Sequence, residues 1–215
     1  MSSWKYENLF YLTSKKLRLL KIIDQYEVYK KILDLKGDIV ECGVFKGASL
    51  IRLLTFRDLF ENNKKRKIYG FDNFGKFPRP KDGKNLKQDK IFAKSHDKIA
   101  GKGISKENLS KYLKNKKINN FKLIKGDILD TLSLFLKKNK KIKIALLHLD
   151  VDIYKPTHFI LEKLYNNVVR GGIILLDDYK HIDGATLAVN DFFKKKNVDI
   201  IKISKLGRPS YIVKK

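Results

Sequence analysis

The sequence is poor in cysteine and has no long hydrophobic run. Cys42 is the only cysteine among 215 residues, so an internal disulfide and a thiolate metal cluster within one chain are both excluded. Any metal bound by this chain is therefore held by oxygen or imidazole ligands. No stretch of about 18 consecutive apolar residues occurs, and the N-terminus lacks an apolar segment followed by a small-residue cleavage site. We therefore expect a soluble, cytoplasmic protein without a membrane span.

Acidic residues are scarce relative to basic ones. The chain has 48 Lys and Arg against 23 Asp and Glu, which gives a formal net charge of +25. Such a charge can attract anionic substrates, membranes or nucleic acid. The excess is nearly all lysine, however, and it is spread along the chain instead of forming an Arg-rich stripe interleaved with aromatic residues. We interpret it as a solvated lysine surface and do not expect nucleic acid as a partner; a functional attraction to anions stays the alternative.

Short apolar runs alternate with helical patterns along the chain. Five runs predict buried strands that end in Gly or Asp: DIVECGVF, KIYGFDNF, FKLIKGDI, KIALLHLD and GGIILLDDY. Helical periodicity lies between them, for example at residues 129–136, 157–165 and 185–193. This alternation predicts an α/β, Rossmann-like fold with a mostly parallel sheet and helices on both faces. The tail IIKISKLGRPSYIVKK adds two short β-rich runs, which predict a C-terminal antiparallel hairpin and seven strands in all.

The length of the chain predicts one compact domain with two attachments. Amphipathic helices are predicted within residues 15–35, and we assign residues 1–36 to an N-terminal helical cap and residues 37–215 to the main domain. The apolar face of the cap must be buried, either over the active site or in a homodimer. Residues 73–110 are polar and contain several Gly and Pro, so we interpret them as a long irregular lid.

Polar residues gather where the predicted strands end, which is where open α/β sheets bind ligands. The first turn, ECGVFKGAS, combines Glu41 with Gly43 and Gly47. It lacks the G-x-G-x-x-G spacing and the Lys-Ser/Thr ending of a P-loop, so it disfavours a pyrophosphate ligand. Taken alone, the turn also fits an ordinary connection from strand to helix.

Two further acids follow strands. Asp72 ends the second strand, where a carboxylate can accept hydrogen bonds from ribose hydroxyls. Asp127 follows the third strand, where it can reach an adenine amine. A solvent-exposed cap for Asp72 and a helix N-cap for Asp127 are the alternatives.

The most informative group is a set of four carboxylates. Asp150 and Asp152 follow the fourth strand, and Asp177 and Asp178 follow the fifth, so a parallel sheet brings them together. Like charges this close repel unless a cation or protons balance them, and oxygen ligands suit Mg²⁺, Mn²⁺ or Ca²⁺. If strand geometry continues past residue 149, Asp150 and Asp152 point the same way, so that one can bind metal while the other acts as a base. His148 is interpreted as a satisfied core histidine.

Several motifs together resemble those of the macrocin O-methyltransferase family, which includes antibiotic-sugar methyltransferases. The runs HLDVDIYKPT and GGIILLDDY, with VNDFF downstream, resemble its acidic motifs. ECGVFKGAS resembles its first cofactor turn, and FDNFGKFP its second-strand motif, where members commonly read D-S-F-x-G-L-P. The resemblance covers roughly residues 38–195 in the same order.

The resemblance implies a class I, S-adenosylmethionine-dependent O-methyltransferase that uses Mg²⁺. It implies that Asp150, Asp177 and Asp178 bind the metal and that Asp152 is the general base. The implied contacts of S-adenosylmethionine are Glu41, Gly43, Val44, Gly47, Ser49, Asp72, Asn73, Asp127 and Asp150.

The acceptor implied by the resemblance is a hydroxyl of a sugar or a glycosylated metabolite. The chain is shorter than the antibiotic enzymes, its lid is rich in lysine, and Asn73 stands where Ser is common, so other acceptors stay open. The alternative acceptors are a catechol-like molecule and a lipid-linked molecule. A different class of function, an anionic-polymer-binding protein with structural carboxylates, is the second alternative.

Overall fold

The computed structural model describes residues 3–61 and 66–215. In that part of the chain, seven strands alternate with eight α-helices. The strands are β1 (Asp38–Cys42), β2 (Ile68–Asp72), β3 (Phe121–Lys125), β4 (Ile144–Leu149), β5 (Val168–Leu176), β6 (Ile201–Lys202) and β7 (Ser210–Val213). The helices are α1 (Ser3–Thr13), α2 (Lys16–Lys30), α3 (Ala48–Phe60), α4 (Leu86–Ile99), α5 (Lys106–Asn115), α6 (Ile128–Lys138), α7 (Tyr154–Leu164) and α8 (Asp183–Phe193). A short 3-10 helix, Tyr165–Asn167, leads into β5.

The strands form one mixed sheet in the order β3-β2-β1-β4-β5-β7-β6. Strands β1 to β5 are parallel, whereas β7 runs antiparallel to both β5 and β6. This confirms the predicted α/β fold with a mostly parallel seven-stranded sheet and a C-terminal antiparallel hairpin. The hairpin lies at one end of the sheet, with β7 beside β5 and β6 on the outer edge.

The core has two halves, one on each face of the sheet. All six residues of β4 are buried, as expected for a parallel strand that is covered on both sides. Because neighbouring side chains of a strand point to opposite faces, Leu146 packs with residues of α2, α3 and α5, whereas Leu147 packs with residues of α6, α7 and α8. Burial on both faces explains why the strands are nearly continuous apolar runs in the sequence.

The segment 73–110 differs from the expected irregular lid. It contains the 14-residue helix α4 and the first turns of α5. The interpretation as a wholly irregular segment was wrong because α4 buries only Asp89 and Ala93, so its mainly polar sequence shows little of the apolar periodicity on which helix prediction depends. Asp89 accepts hydrogen bonds from the backbone of Tyr154 and from the side chain of Asn85.

The N-terminal helices pack unequally. Helix α2 packs on α3 and buries Val28 and Tyr29 in the core. Helix α1 instead exposes most of its large apolar side chains, among them Trp4, Phe10 and Leu12. No helix in residues 3–61 or 66–215 has both the length and the apolar character needed to cross a membrane.

The chain leaves β1 and β4 in opposite directions across the sheet, so a crevice opens beyond their carboxyl ends. Here the loop after β4 touches the end of β1, because the amide of Asp150 donates to the carbonyl of Cys42 at 2.9 Å. The amide of Gly43 donates to the carbonyl of Phe71 on β2, also at 2.9 Å. Gly43 has φ of +95°, and a Cβ atom at this position would overlap the carbonyl oxygen of Asp150. Only glycine allows this contact between the first turn and the acidic loop.

We therefore expect Gly43→Ala to destabilise the protein by roughly 3 kcal/mol or more, because the new methyl group meets rigid backbone in addition to a disfavoured φ. Gly101→Ala is the matched control, since Gly101 also has a positive φ, +72°, but no neighbouring atom within 4 Å of the added Cβ. Its cost should be only about 1–2 kcal/mol. Urea unfolding of both variants measures the difference, and equal losses would contradict the steric argument.

Candidate active site

The crevice beyond β4 and β5 is lined by four carboxylates. With His148 they form two clusters, and within each cluster the possible ligand atoms lie within 4.8 Å of one another. The first is His148 with Asp150 and Asp177, and the second is Asp150 with Asp152 and Asp178. The three predicted metal ligands are thus divided between two clusters that share Asp150. Asp177 and Asp178 are only 4% and 6% exposed, so these charges are largely shielded from water.

The backbone after β4 brings Asp152 into this group in an unexpected way. Strand geometry does not continue past Leu149, and Asp152 takes a left-handed conformation with φ of +62°. The expectation that Asp150 and Asp152 point the same way assumed that the strand continues past residue 149, and that assumption was wrong. Their carboxylates still meet, because the turned backbone directs Asp152 towards Asp178. The carbonyl of Asp152 is held by the amide of Ala185 at 3.0 Å.

Burial and mutual repulsion favour the protonated forms of three of these acids. Burial, and then the neighbouring Asp177 and Asp178, raise the pKa of Asp150 well above its ordinary value. Burial and Asp152 do the same to the pKa of Asp178. Burial and Asp150 raise the pKa of Asp152 to about 7. The cluster is therefore short of positive charge.

Two buried carboxylate oxygens of the cluster, Oδ1 of Asp177 and Oδ2 of Asp178, lack a hydrogen-bond partner among the described residues. A buried acceptor without a partner is costly, and a cation in the crevice would remove that cost. Several carboxylate oxygens together are also the donor set that Mg²⁺, Mn²⁺ and Ca²⁺ prefer. The residues present therefore fit a hard divalent cation.

His148 lies between two carboxylates on neighbouring strands. Its Nδ1 is 3.3 Å from Glu41 on β1, and its Nε2 is 3.5 Å from Asp177 after β5. Burial by itself lowers the pKa of His148, but Asp177 and Glu41 outweigh it and raise the value to about 10. The residue is buried, as expected for a core histidine, but it is not satisfied by hydrogen bonds from the described residues: each ring nitrogen instead faces a carboxylate at ion-pair distance.

Lys21 of α2 also reaches the crevice. Its ammonium is 2.6 Å from Oδ2 of Asp177, across 156 positions of sequence. Burial alone lowers the pKa of Lys21, but Asp150 and Asp177 outweigh it and raise the pKa. For Asp177, burial alone raises the pKa, but His148 and Lys21 outweigh it and hold the pKa below its usual range. Sequence reasoning missed Lys21, since one lysine among many on an amphipathic helix carries no local signal.

The first turn is organised around Glu41 and Ser49. Both side chains are buried, and the hydroxyl of Ser49, in the first turn of α3, donates to Oε1 of Glu41. The other oxygen of Glu41, Oε2, is buried without a partner among the described residues. Gly47 precedes α3 with φ of +83°, and a Cβ there would lie 2.9 Å from Leu109, so the turn also packs tightly on α5.

Asp72 binds the backbone of this turn. Its Oδ2 accepts from the amides of Val44 and Phe45 at 2.9 and 2.8 Å, and its Oδ1 accepts from the amide of Phe74 at 2.5 Å. Asp72 is therefore not a solvent-exposed cap: it ties the end of β2 to the first turn. Asn73 lies next to it, half-buried, at the beginning of the segment that leads to α4.

Asp127 is the N-cap of α6, with Oδ1 accepting from the amide of Leu129 at 3.0 Å. The structure thus shows the capping role that was the alternative to an adenine contact. The two roles use different lone pairs, so the cap leaves the second oxygen able to accept another donor.

We expect His148→Gln to destabilise the metal-free protein by about 3–5 kcal/mol, because it leaves the buried Glu41 without its ion-pair partner and Asp177 with Lys21 alone. The control is His158→Gln: His158 lies 3.7 Å from Glu162 on the surface of α7, where an ion pair contributes about 0–1 kcal/mol. Urea unfolding in the presence of a chelator measures both. A loss in His148→Gln no larger than in the control would contradict a charged bridge.

Comparison with known proteins agrees with this geometry. The model of the macrocin-O-methyltransferase (TylF) family matches residues 15–208. Among solved structures, CalS11, a calicheamicin methyltransferase, superposes with a TM-score of 0.75 at 21% identity, covering 99% of this chain and 86% of its own. The O-methyltransferase NovP superposes with a TM-score of 0.77 at 23% identity, covering 90% of this chain and 79% of its own.

No curated protein matches the sequence. The likeness to CalS11 and NovP establishes the class I methyltransferase fold, and the family match extends over most of the chain, from α2 to the loop before β7. The chain therefore belongs to the macrocin-O-methyltransferase family and is an S-adenosylmethionine-dependent O-methyltransferase.

Proposed function

We propose that this enzyme methylates a hydroxyl of a sugar or a glycosylated metabolite, and that a divalent cation, Mg²⁺, binds in the crevice beyond β4 and β5. The observation that carries the proposal is the group of four carboxylates, of which Asp177 and Asp178 are buried and each have an oxygen without a hydrogen-bond partner among the described residues. Family membership decides for an enzyme over the alternative of a non-enzymatic anionic-polymer-binding protein.

The proposed metal ligands are Asp150, Asp177 and Asp178. When bound, Mg²⁺ supplies Lewis acidity, which lowers the pKa of a substrate hydroxyl and fixes its position. Asp177 already attracts the ammonium of Lys21 and the imidazolium of His148, which supports its use as a site for positive charge. Lys21 is then the side chain that must move or share Asp177 when a cation enters.

Asp152 is the proposed general base. It lies in the same cluster as Asp150 and Asp178, so a hydroxyl held at the metal ligands is within its reach. The amide of Ala185 fixes the carbonyl of Asp152, and the left-handed backbone orients its side chain into the crevice. A base must lie within hydrogen-bond distance of the proton that it removes, and the position of Asp152 beside two proposed metal ligands supports this role.

The proposed cofactor site lies across the ends of β1, β2 and β3. Gly43 and Gly47 let the first turn pack closely on Asp150 and Leu109, and the oxygen of Glu41 that has no hydrogen-bond partner among the described residues offers an acceptor inside the turn. Three of the four lone pairs of the Asp72 carboxylate accept backbone amides, which leaves one on Oδ1 for a ribose hydroxyl. The remaining proposed contacts are Val44, Ser49, Asn73, Asp127 and Asp150.

The acceptor class rests on the relatives. CalS11 is a TDP-rhamnose 3′-O-methyltransferase, so a protein with the same fold acts on a sugar. We extend this to the present enzyme, with catechol-like and lipid-linked acceptors as the alternatives. The N-terminal segment 1–36 is proposed to cap the acceptor site, because Lys21 of α2 enters the crevice. The exposed apolar side chains of α1 are where a second copy would bind in a homodimer.

Two substitutions separate the proposed roles. Asp177→Asn should weaken Mg²⁺ binding at least about tenfold with near-normal affinity for S-adenosylhomocysteine, because it removes one charged metal ligand and none of the proposed cofactor contacts. Asp152→Asn should keep both ligands but reduce turnover by about 10²–10⁴-fold, the usual contribution of a general base. Calorimetric titration of S-adenosylhomocysteine with and without Mg²⁺, and of Mg²⁺ itself, measures the affinity of each variant for both ligands. Loss of cofactor binding in both variants would contradict this division.

The folding stability of the metal-free protein should vary with pH because of Asp152. Its pKa is raised to about 7 in the folded state, mainly by burial, so the folded state binds more protons than the unfolded chain. The stability contributed by this group is therefore complete below pH about 4 and is lost as pH rises through about 7. Asp152→Asn should accordingly gain thermal stability relative to the parent protein between pH 5.5 and pH 8.

This comparison is made by thermal unfolding in a chelator, with the exposed Asp34→Asn as the control. Adding Mg²⁺ should restore the stability of the parent protein at pH 8, since a cation replaces the lost protons. A difference between Asp152→Asn and the parent that is the same at both pH values would refute the prediction.

A further inference from the structure

Arg52 is a half-buried arginine of α3 that has no partner in the described part of the chain. Its Nε is buried, and its guanidinium forms no hydrogen bond or ion pair with any described residue. Burying such a strong donor without an acceptor is unfavourable. This arrangement is expected where a ligand supplies the missing acceptor.

The other buried arginines show the opposite arrangement. Arg57, five residues further along α3, donates to Asp58 and to the carbonyls of Asn119 and Asn120. Arg66 donates to Glu61 and to backbone carbonyls of the segment between α2 and β1. The fold therefore satisfies the arginines that have a structural role, and Arg52 stands apart from them.

The position of Arg52 connects it to the proposed ligand sites. It lies three residues after Ser49, hence on the same face of α3, and Ser49 binds Glu41 of the first turn. Burial lowers the pKa of Arg52, and the charges that act on it most strongly are Glu41, Asp177 and Arg18 of α2. Glu41 and Asp177 are already bound to Ser49, His148 and Lys21, and neither forms a hydrogen bond or an ion pair with Arg52, whose charge they attract.

We propose that Arg52 binds a carboxylate or phosphate group at this end of the crevice, with the exposed Arg18 as a second positive charge beside it. A guanidinium binds such planar or tetrahedral anions through two parallel N–H donors. Two sources present this chemistry: the α-carboxylate in the methionine part of the cofactor, and an anionic group of the acceptor. The inference rests on the proposed function, which places both molecules here.

The test compares two cofactor analogues and one anion. S-adenosylhomocysteine carries the α-carboxylate, 5′-methylthioadenosine shares its adenosine and thioether but has no amino-acid part, and pyrophosphate is the probe for a phosphorylated acceptor. Each is titrated calorimetrically into the parent protein, Arg52→Gln and Arg52→Lys. Lys163→Gln on the exposed face of α7 is the charge-matched control.

If Arg52 binds the cofactor, S-adenosylhomocysteine should bind about 10–100-fold more weakly to Arg52→Gln, which is the loss of one charge-assisted interaction, while methylthioadenosine is unaffected. If it binds the acceptor, only pyrophosphate should lose affinity. Arg52→Lys should be intermediate, because it keeps the charge but not the paired donors. Parent-like affinity of Arg52→Gln for all three ligands would overturn the proposal.

Thermal unfolding provides a second, independent readout. Because Arg52 has no partner in residues 3–61 and 66–215, Arg52→Gln should unfold at the same temperature as the parent or higher, whereas a structural arginine would give a clear decrease. A marked decrease would therefore also overturn the proposal. Failure of the parent protein to bind S-adenosylhomocysteine would instead refute the proposed function itself, and the inference with it.

Discussion

Negative charge in the crevice beyond β4 and β5 is the constraint on which the rest of the site depends. Parallel strands end at one edge, so the acids that follow β4 and β5 meet in a shielded crevice where their repulsion is strong. The protein balances part of this charge with its own cations, His148 from β4 and Lys21 from α2. The remaining imbalance is what makes a bound divalent cation the natural completion of the site.

The same constraint links the two halves of the active site. His148 lies between Glu41 on the proposed cofactor side and Asp177 on the proposed metal side, so three neighbouring strands share one buried chain of charges. Gly43 brings the first turn onto the backbone of Asp150, and Asp72 holds that turn from β2. The residues proposed to bind cofactor and metal and to act as the base are thus positioned by contacts between strand ends.

Much of this arrangement follows from local patterns. Apolar runs that end in acids predicted the strands, their parallel order and the meeting of the four carboxylates, because each run is a single buried strand. The helical content of the lid was not predictable in this way, since α4 buries only two of its residues. The turn at Asp152 was also missed, because a left-handed residue other than glycine has no strong sequence signal.

The sequence by itself determined the family, the sheet and the acids that line its edge, because these depend on residues that lie close together in the chain. Only the tertiary structure decided how their charges are balanced. Lys21 and His148 reach the crevice from two elements that are far apart in sequence. Whether a buried charge is paired depends on which distant segment packs against it, and no local periodicity records that contact.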